Sequence, residues 1–260
     1  MMRGFVVLLG LSVMACGNST TPAATPAPAA SASPGLVDSL WNESMAHFRN
    51  GKWTKAAVLL ERFLLEAPPT EPRTVPAHFF LAESYFGSGD QLRAAREFRR
   101  VSDEHPTDTL AAEALMRAAD AYADLWRRPE LDPSYGQQAL ATYQELLTRF
   151  PGSRVDARAR ERVGFLENRF AEKSFKAALY YVRLKAYDSA ILYLRDLLAT
   201  YPRASVAPEA LTRLVEAYRS IGYTEEMKET CGYFRTNHPT ASDLNRVCPT
   251  DTLMVQPPGA

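Results

Sequence analysis

The chain has 260 residues, enough for one large domain or two small ones. Thirty basic and thirty acidic side chains cancel, so bulk charge points to neither nucleic acid nor an acidic partner. No run of like charge stands out, and the only extended apolar run, residues 5–15, is too short to span a bilayer.

That run, FVVLLGLSVMA, follows Arg3 and ends in small residues, the layout of an export signal. Residues 1–15 are therefore expected to be removed from an exported protein. Val13-Met14-Ala15-Cys16 resembles a bacterial lipobox, in which Cys16 becomes the acylated N-terminus after cleavage. The other reading is an ordinary signal peptide followed by a stray cysteine. Acyl chains contribute about 0.8 kcal/mol per buried methylene, so a triacyl anchor would hold stably. Cleavage removes Arg3 and leaves 29 basic against 30 acidic side chains, a net charge of −1. Gly17 stands where lipoproteins retained at the inner membrane carry Asp, which favours the outer membrane. Residues 17–35, GNSTTPAATPAPAASASPG, hold nothing that burial could offset against ordering. Together with Cys16 they read as a disordered or semi-extended tether, at about 3.1 Å per residue reaching ~60 Å from the membrane.

From Leu36 onward the pattern is helical, and prolines end helices rather than interrupt them. Pro68, Pro106, Pro151, Pro202 and Pro239 lie 38, 45, 51 and 37 residues apart. Setting each as a closing proline reveals one repeated arrangement of small and large side chains. The clearest copy is 171–202, with Ala177, Ala178 and Tyr181 on a first helix and Ala190, Leu194 and Leu197 on a second. Ser44, Ala56 and Leu60 precede Pro68; Ala82, Tyr85, Ala94, Phe98 and Val101 precede Pro106. Ala119, Tyr122, Ala139, Tyr143 and Leu146 precede Pro151. Before Pro239 stand Tyr218 and Phe234, with Met227 and Cys231 in place of the usual Ala and large residue, the irregularity expected of a terminal copy. Small residues let two helices cross closely and larger ones fill the space beside the crossing. This is the pattern of the tetratricopeptide repeat (TPR), about 34 residues long.

The spacing excesses predict two further features. RRPELDPS (127–134) is an insertion inside the third repeat, and residues of about 154–184 form one long helix with Ser153 as N-cap and Asp156 in its first turn. The expected fold is an all-α, superhelical solenoid of five TPR-like pairs over 36–239, about ten helices. The long helix links repeats three and four and fuses the second helix of repeat three toward repeat four. Residues 240–260 read as a weakly ordered tail, with a short turn around Ser242–Arg246.

RRPELDPSYGQQALATYQELLTRFPGS (127–153) resembles the third repeat, with its inserted loop, of the BamD family. That family comprises the lipidated TPR subunits of the bacterial β-barrel assembly machinery. RVGFLENRFAEKSFKAALYYVRLKAYDSA (162–190) resembles the family's long linking helix and the start of its fourth repeat. Arg162, Phe165, Leu166, Arg169, Ala171, Ala178, Tyr180, Tyr181 and the Ala186-Tyr187 turn match in kind and spacing, and the likeness covers roughly 36–240. It implies a lipid-anchored scaffold on the periplasmic face of the outer membrane. C-terminal repeats would hold the periplasmic domains of BamA, and N-terminal repeats would receive unfolded outer-membrane clients. Other assembly lipoproteins are further candidate partners. The alternative within the class is a periplasmic TPR scaffold for envelope constriction or peptidoglycan enzymes. An alternative outside it is an accessory subunit of an anchored hydrolase.

Stacked pairs make a concave face lined by the first helix of each repeat. Trp41, Met45, Phe48, Phe79, Glu83 and Phe86 fall on that side and could line a groove for an extended aromatic-rich client segment. The plainer reading is helix packing for the aromatics and a solvated carboxylate for Glu83. Arg183, Lys185, Asp188 and Arg195 near repeat four, with Arg213, Glu216 and Arg219 in repeat five, are candidate partner contacts or merely a solvated face. An oxidising compartment permits a Cys231–Cys248 disulfide, though a buried free thiol at Cys231 is equally ordinary. His47, His78, His105 and His238 lack ligand spacing, so no metal is expected. No nucleophile–base pair, phosphate loop or carboxylate pair falls on a loop, so neither a cofactor nor an enzymatic activity is expected.

Overall fold

In each of five helical hairpins, the second helix ends two residues before a proline. The computed structural model describes residues 34–249; the signal segment, Cys16, most of the tether and residues 250–260 lie outside the described residues. The pairs are α1 (Pro34–Arg49) with α2 (Trp53–Glu66), α3 (Thr74–Ser88) with α4 (Gln91–Glu104), and α5 (Ala111–Leu125) with α6 (Ser134–Arg149). They continue with α7 (Asp156–Arg183) and α8 (Tyr187–Thr200), then α9 (Ala207–Ile221) and α10 (Thr224–Asn237). A four-residue α11 (Leu244–Val247) follows. Each helix packs chiefly on the one before and the one after, as in a solenoid. No strand occurs among the described residues.

The small residues read from the repeat occupy the crossings. Ala56, Ala82, Ala94, Ala119, Ala139, Ala178 and Ala190 are all fully buried, and so are their large companions Leu60, Phe98, Tyr143, Leu146, Leu194 and Leu197. Tyr181 departs from the pattern. It is only half-buried and stacks on exposed Tyr193 at a ring distance of 5.2 Å, because the long α7 brings Phe175 and Ala178 into that core instead.

Four hairpin turns share one backbone solution. The amides of Gly89 and Asp90 return to the carbonyls of Phe86 and Tyr85 at 3.1 and 2.9 Å, with Gly89 left-handed at φ +87°. Gly51 and Gly222 repeat this geometry. In the α7–α8 turn the left-handed residue is Lys185, at φ +58°, the one described non-glycine residue with positive φ. A Cβ there crowds the backbone.

The long helix forms close to its expected span, but its start differs. Its N-cap residue is Val155, without a side-chain cap. Ser153 offers its carbonyl, not its hydroxyl, to the Asp156 amide (3.1 Å), which leaves its Oγ buried without a partner. The left-handed Gly152 turns the chain between α6 and α7, so the expected fusion of the second helix of repeat three does not occur. α7 links the repeats differently, by entering two cores. Ala159, Leu166 and Phe170 pack with α5 and α6, whereas Ala171, Phe175 and Ala178 pack with α8 and the last repeat.

The insertion of repeat three runs between α5 and α6 as expected. Trp126, buried at its root, stacks on Phe170 (4.4 Å) and lies against the backbone of Gly136 on α6. On the far side α7 holds the loop. Lys173 Nζ donates to the carbonyls of Pro129 and Leu131, both at 3.0 Å, and Lys176 pairs with Glu130.

The tail expected from residue 240 is packed as far as Cys248. α11 buries Leu244 and Val247 in the core of repeats four and five, and Cys248 with them. The short turn expected around Ser242–Arg246 overlaps α11, but hydrophobic spacing over so short a segment carries no helical period to mark its packing.

Two substitutions test these packing statements. Lys185→Gly removes the left-handed cost and should stabilise the chain by about 1 kcal/mol, read as a rise in the denaturant midpoint. Gly136→Ala drives a methyl into the Trp126 ring and should destabilise it by about 1–3 kcal/mol in the same assay.

Candidate binding surfaces

The N-terminal aromatics are knitted together by Phe80, a residue that the repeat pattern does not single out. Trp41 on α1 lies 5.5 Å from Phe63 and 6.2 Å from Phe80. Phe48 meets Phe80 at 5.0 Å and Trp53 at 5.2 Å, and Phe79 meets Phe80 and Phe98 at 6.0 and 5.4 Å. The Arg73 guanidinium lies over both the Trp41 and Phe63 rings, at 5.9 and 5.6 Å. Trp53 lies on the backbone of Gly87, where an added Cβ would stand 2.6 Å from the ring. Trp41, Met45, Phe48 and Phe79 are all half-buried, so much of their surface serves to join α1, α2 and α3.

Glu83 and Phe86 belong to a different place. Arg117 on α5 donates to both carboxylate oxygens of Glu83, from Nε at 2.6 Å and from Nη2 at 2.8 Å, and lies over the Phe86 ring at 4.3 Å. The same guanidinium reaches Asp120 at 3.3 Å. The Tyr143 hydroxyl donates to Asp120 at 2.6 Å, and Arg162 Nε stands 3.9 Å from it. Burial, then the charge of Asp120, raises the Tyr143 pKa well above the ordinary phenol value. Burial works against a charge on Arg117, but Glu83 and Asp120 more than offset it and hold the guanidinium protonated. Phe86, Arg117, Asp120, Tyr143 and Arg162 border a cavity of about 280 Å³ between α3, α5, α6 and α7, with Glu83 held behind Arg117. Its α7 wall carries Phe165, 54 % exposed, and Arg169, whose guanidinium lies 4.6 Å over Trp126 and 5.7 Å from Phe165. Arg169 forms no ion pair with another described residue. An aromatic or anionic group could settle there; nothing in the arrangement activates a nucleophile. In the sequence, Arg117 and Asp120 are only two of the four charges in the otherwise Ala-rich helix AAEALMRAADAYADL.

The charges of the C-terminal repeats divide into two sets. Arg183, Lys185, Asp188 and Arg195 are exposed, and none forms an ion pair with another described residue. Around them Tyr180, Leu184, Leu192 and Tyr193 are exposed as well. Tyr180 meets Tyr181 edge-on at 5.5 Å, and Tyr181 stacks on Tyr193. Arg213, Glu216 and Arg219 are engaged within the chain. Arg213 pairs with Glu216 at 3.1 Å, Glu216 with Arg246 at 2.8 Å, and Arg219 donates to the Val247 carbonyl at 2.5 Å. Cys231 and Cys248 are joined as a disulfide, Cα to Cα 5.6 Å. Among the described residues no group of His, Cys, Asp and Glu has the arrangement of a metal site.

Comparison with known proteins bears on this geometry. The family YfiO, described as outer membrane lipoprotein, matches residues 36–232. The outer membrane protein assembly factor BamD of Vibrio cholerae is 28% identical over 201 residues, 74% of this chain and 83% of its own. The BamD of Neisseria meningitidis serogroup A is 24% identical over 258 residues, covering 95% of each chain. Among solved structures, a thermophilic TPR protein of Thermus thermophilus aligns over 81% of this chain and 96% of its own, with 22% identity and a TM-score of 0.36. With both the long α7 and the α7–α8 hairpin inside the matched range, the chain belongs to the YfiO family of outer membrane lipoproteins.

Proposed function

We propose that this chain is a non-enzymatic scaffold of outer-membrane β-barrel assembly, anchored through Cys16 on the periplasmic face. Its curated relatives carry the name of assembly factor, and its own binding surfaces supply two distinct chemistries. The α7–α8 hairpin docks the periplasmic domains of BamA. The observation that supports this assignment is the tyrosine cluster Tyr180–Tyr181–Tyr193, its outer rings Tyr180 and Tyr193 exposed beside four charges without described ion-pair partners. Tyrosine offers a large, rigid contact at small entropic cost, and flanking charges steer the approach and set the register. The cavity beside Glu83, Phe86 and Phe165 receives client segments, with Phe165 and Arg169 as its open contacts. Trp41, Met45, Phe48 and Phe79 contribute to client binding mainly by holding α3 in place, and other assembly lipoproteins occupy surfaces that neither BamA nor the clients use.

The docking assignment predicts that Tyr180→Ala with Tyr193→Ala weakens binding of purified BamA periplasmic domains by about tenfold or more. Both rings are substantially exposed, so the thermal midpoint should stay unchanged. Unaltered affinity in a titration would remove the hairpin from the interface.

A further inference from the structure

α11 is too short to persist on its own. Four residues lie far below the length at which a helix is stable in water, yet Leu244, Val247 and Cys248 are 6, 0 and 0 % exposed. Three kinds of contact hold the segment. Two guanidiniums cap its C-terminal carbonyls: Arg219 donates to Val247, and Arg235 donates to Cys248 at 2.8 Å and Pro249 at 3.1 Å. Arg246 pairs with Glu216 on α9 and with Asp243 at 3.0 Å. The Cys231–Cys248 bond ties the end of the segment to α10 across 17 positions of sequence.

These contacts are unequal. The Arg246 side chain is 56 % exposed, and ion pairs of that exposure contribute little. The disulfide acts differently, by holding the segment near its groove whenever it comes away. We propose that the segment 241–249 is a thiol-controlled latch over the end of repeat five. With the disulfide closed, Glu216 and Arg219 are committed to the chain's own tail. With it reduced, the tail lifts, and those two side chains and the apolar surface beneath Leu244 and Val247 open as a second contact for the BamA periplasmic domains. The chemistry is thiol–disulfide exchange with a small dithiol. Its thiolate attacks one sulfur, and its second thiol closes the mixed bond to a cyclic disulfide. Two electrons and two protons pass to the protein, leaving Cys231 and Cys248 as thiols. Because both sulfurs are buried, exchange follows local opening of the segment.

The consequence for docking rests on the proposed BamA interaction; the latch itself does not. The test uses the mature chain in detergent in three forms: oxidised, reduced by dithiothreitol, and Cys231→Ser with Cys248→Ser without reductant. Amide hydrogen exchange at 244–248 should rise about tenfold or more in the second and third forms, with α1 to α8 unchanged. Affinity for BamA periplasmic domains should rise about fivefold on opening, and Arg219→Ala should cancel that gain. Equal exchange in all three forms overturns the latch. Faster exchange with the same affinity in every form overturns its coupling to docking. Absence of binding in every form overturns the BamA reading, with exchange still deciding the latch.

Discussion

The backbone of α7 runs unbroken from Asp156 to Arg183, and that continuity fixes where everything else can lie. At 1.5 Å per residue its 28 residues span about 42 Å. Its first half closes the core of repeat three with Leu166 and Phe170, and its second half opens the core of repeat four with Phe175 and Ala178. A solenoid made only of short hairpins would flex at each junction. Here one rigid helix belongs to both sides of the junction, so the cavity wall at Phe165 and Arg169 and the hairpin tip at Lys185 keep a fixed separation. Trp126 reinforces the same link, seated between Gly136 and Phe170 with Arg169 above it.

Charge is distributed along this frame according to burial. Near the cavity Arg117, Glu83, Asp120 and Tyr143 satisfy one another, as partly buried polar groups must. Removing one member would leave the others desolvated and unpaired, which costs more than an exposed pair ever contributes. At the hairpin tip the opposite holds. Arg183, Lys185, Asp188 and Arg195 stay in water, where an unpaired charge costs little and remains free for a partner. The left-handed Lys185 fits this contrast: the other three turns of this geometry use glycine, and the one beside the exposed tyrosines keeps a charged side chain at a conformational cost.

Much of this was legible in the sequence, for identifiable reasons. Closing prolines and alanines at the crossings are read directly, because backbone geometry and close approach admit few other residues. The long helix was visible because no breaker interrupts its period; Gly164 has open space around it and leaves the helix intact. Partners across the fold were not visible. Phe80 on α3 meets Trp41 and Phe48 only once α1 lies against α3, and Arg117 finds Glu83 across 34 positions of sequence. Ser153 had the residue type of a cap but not the backbone for it, since its carbonyl had already taken the Asp156 amide. Glu216 and Arg219 look like surface charges in the sequence because the segment that engages them sits some thirty residues later in a stretch without periodicity, whereas Arg213 pairs with Glu216 on its own helix.

A scaffold that bridges an anchored partner and its clients has to hold that partner in the envelope, not only in a purified mixture. The most direct test is recovery of the tagged, lipidated chain from detergent-solubilised envelopes. The account predicts that a large β-barrel protein with repeated periplasmic domains is recovered with it. Recovery of peptidoglycan or division proteins alone, with no barrel-forming partner, would contradict the account and place this solenoid in a different envelope process.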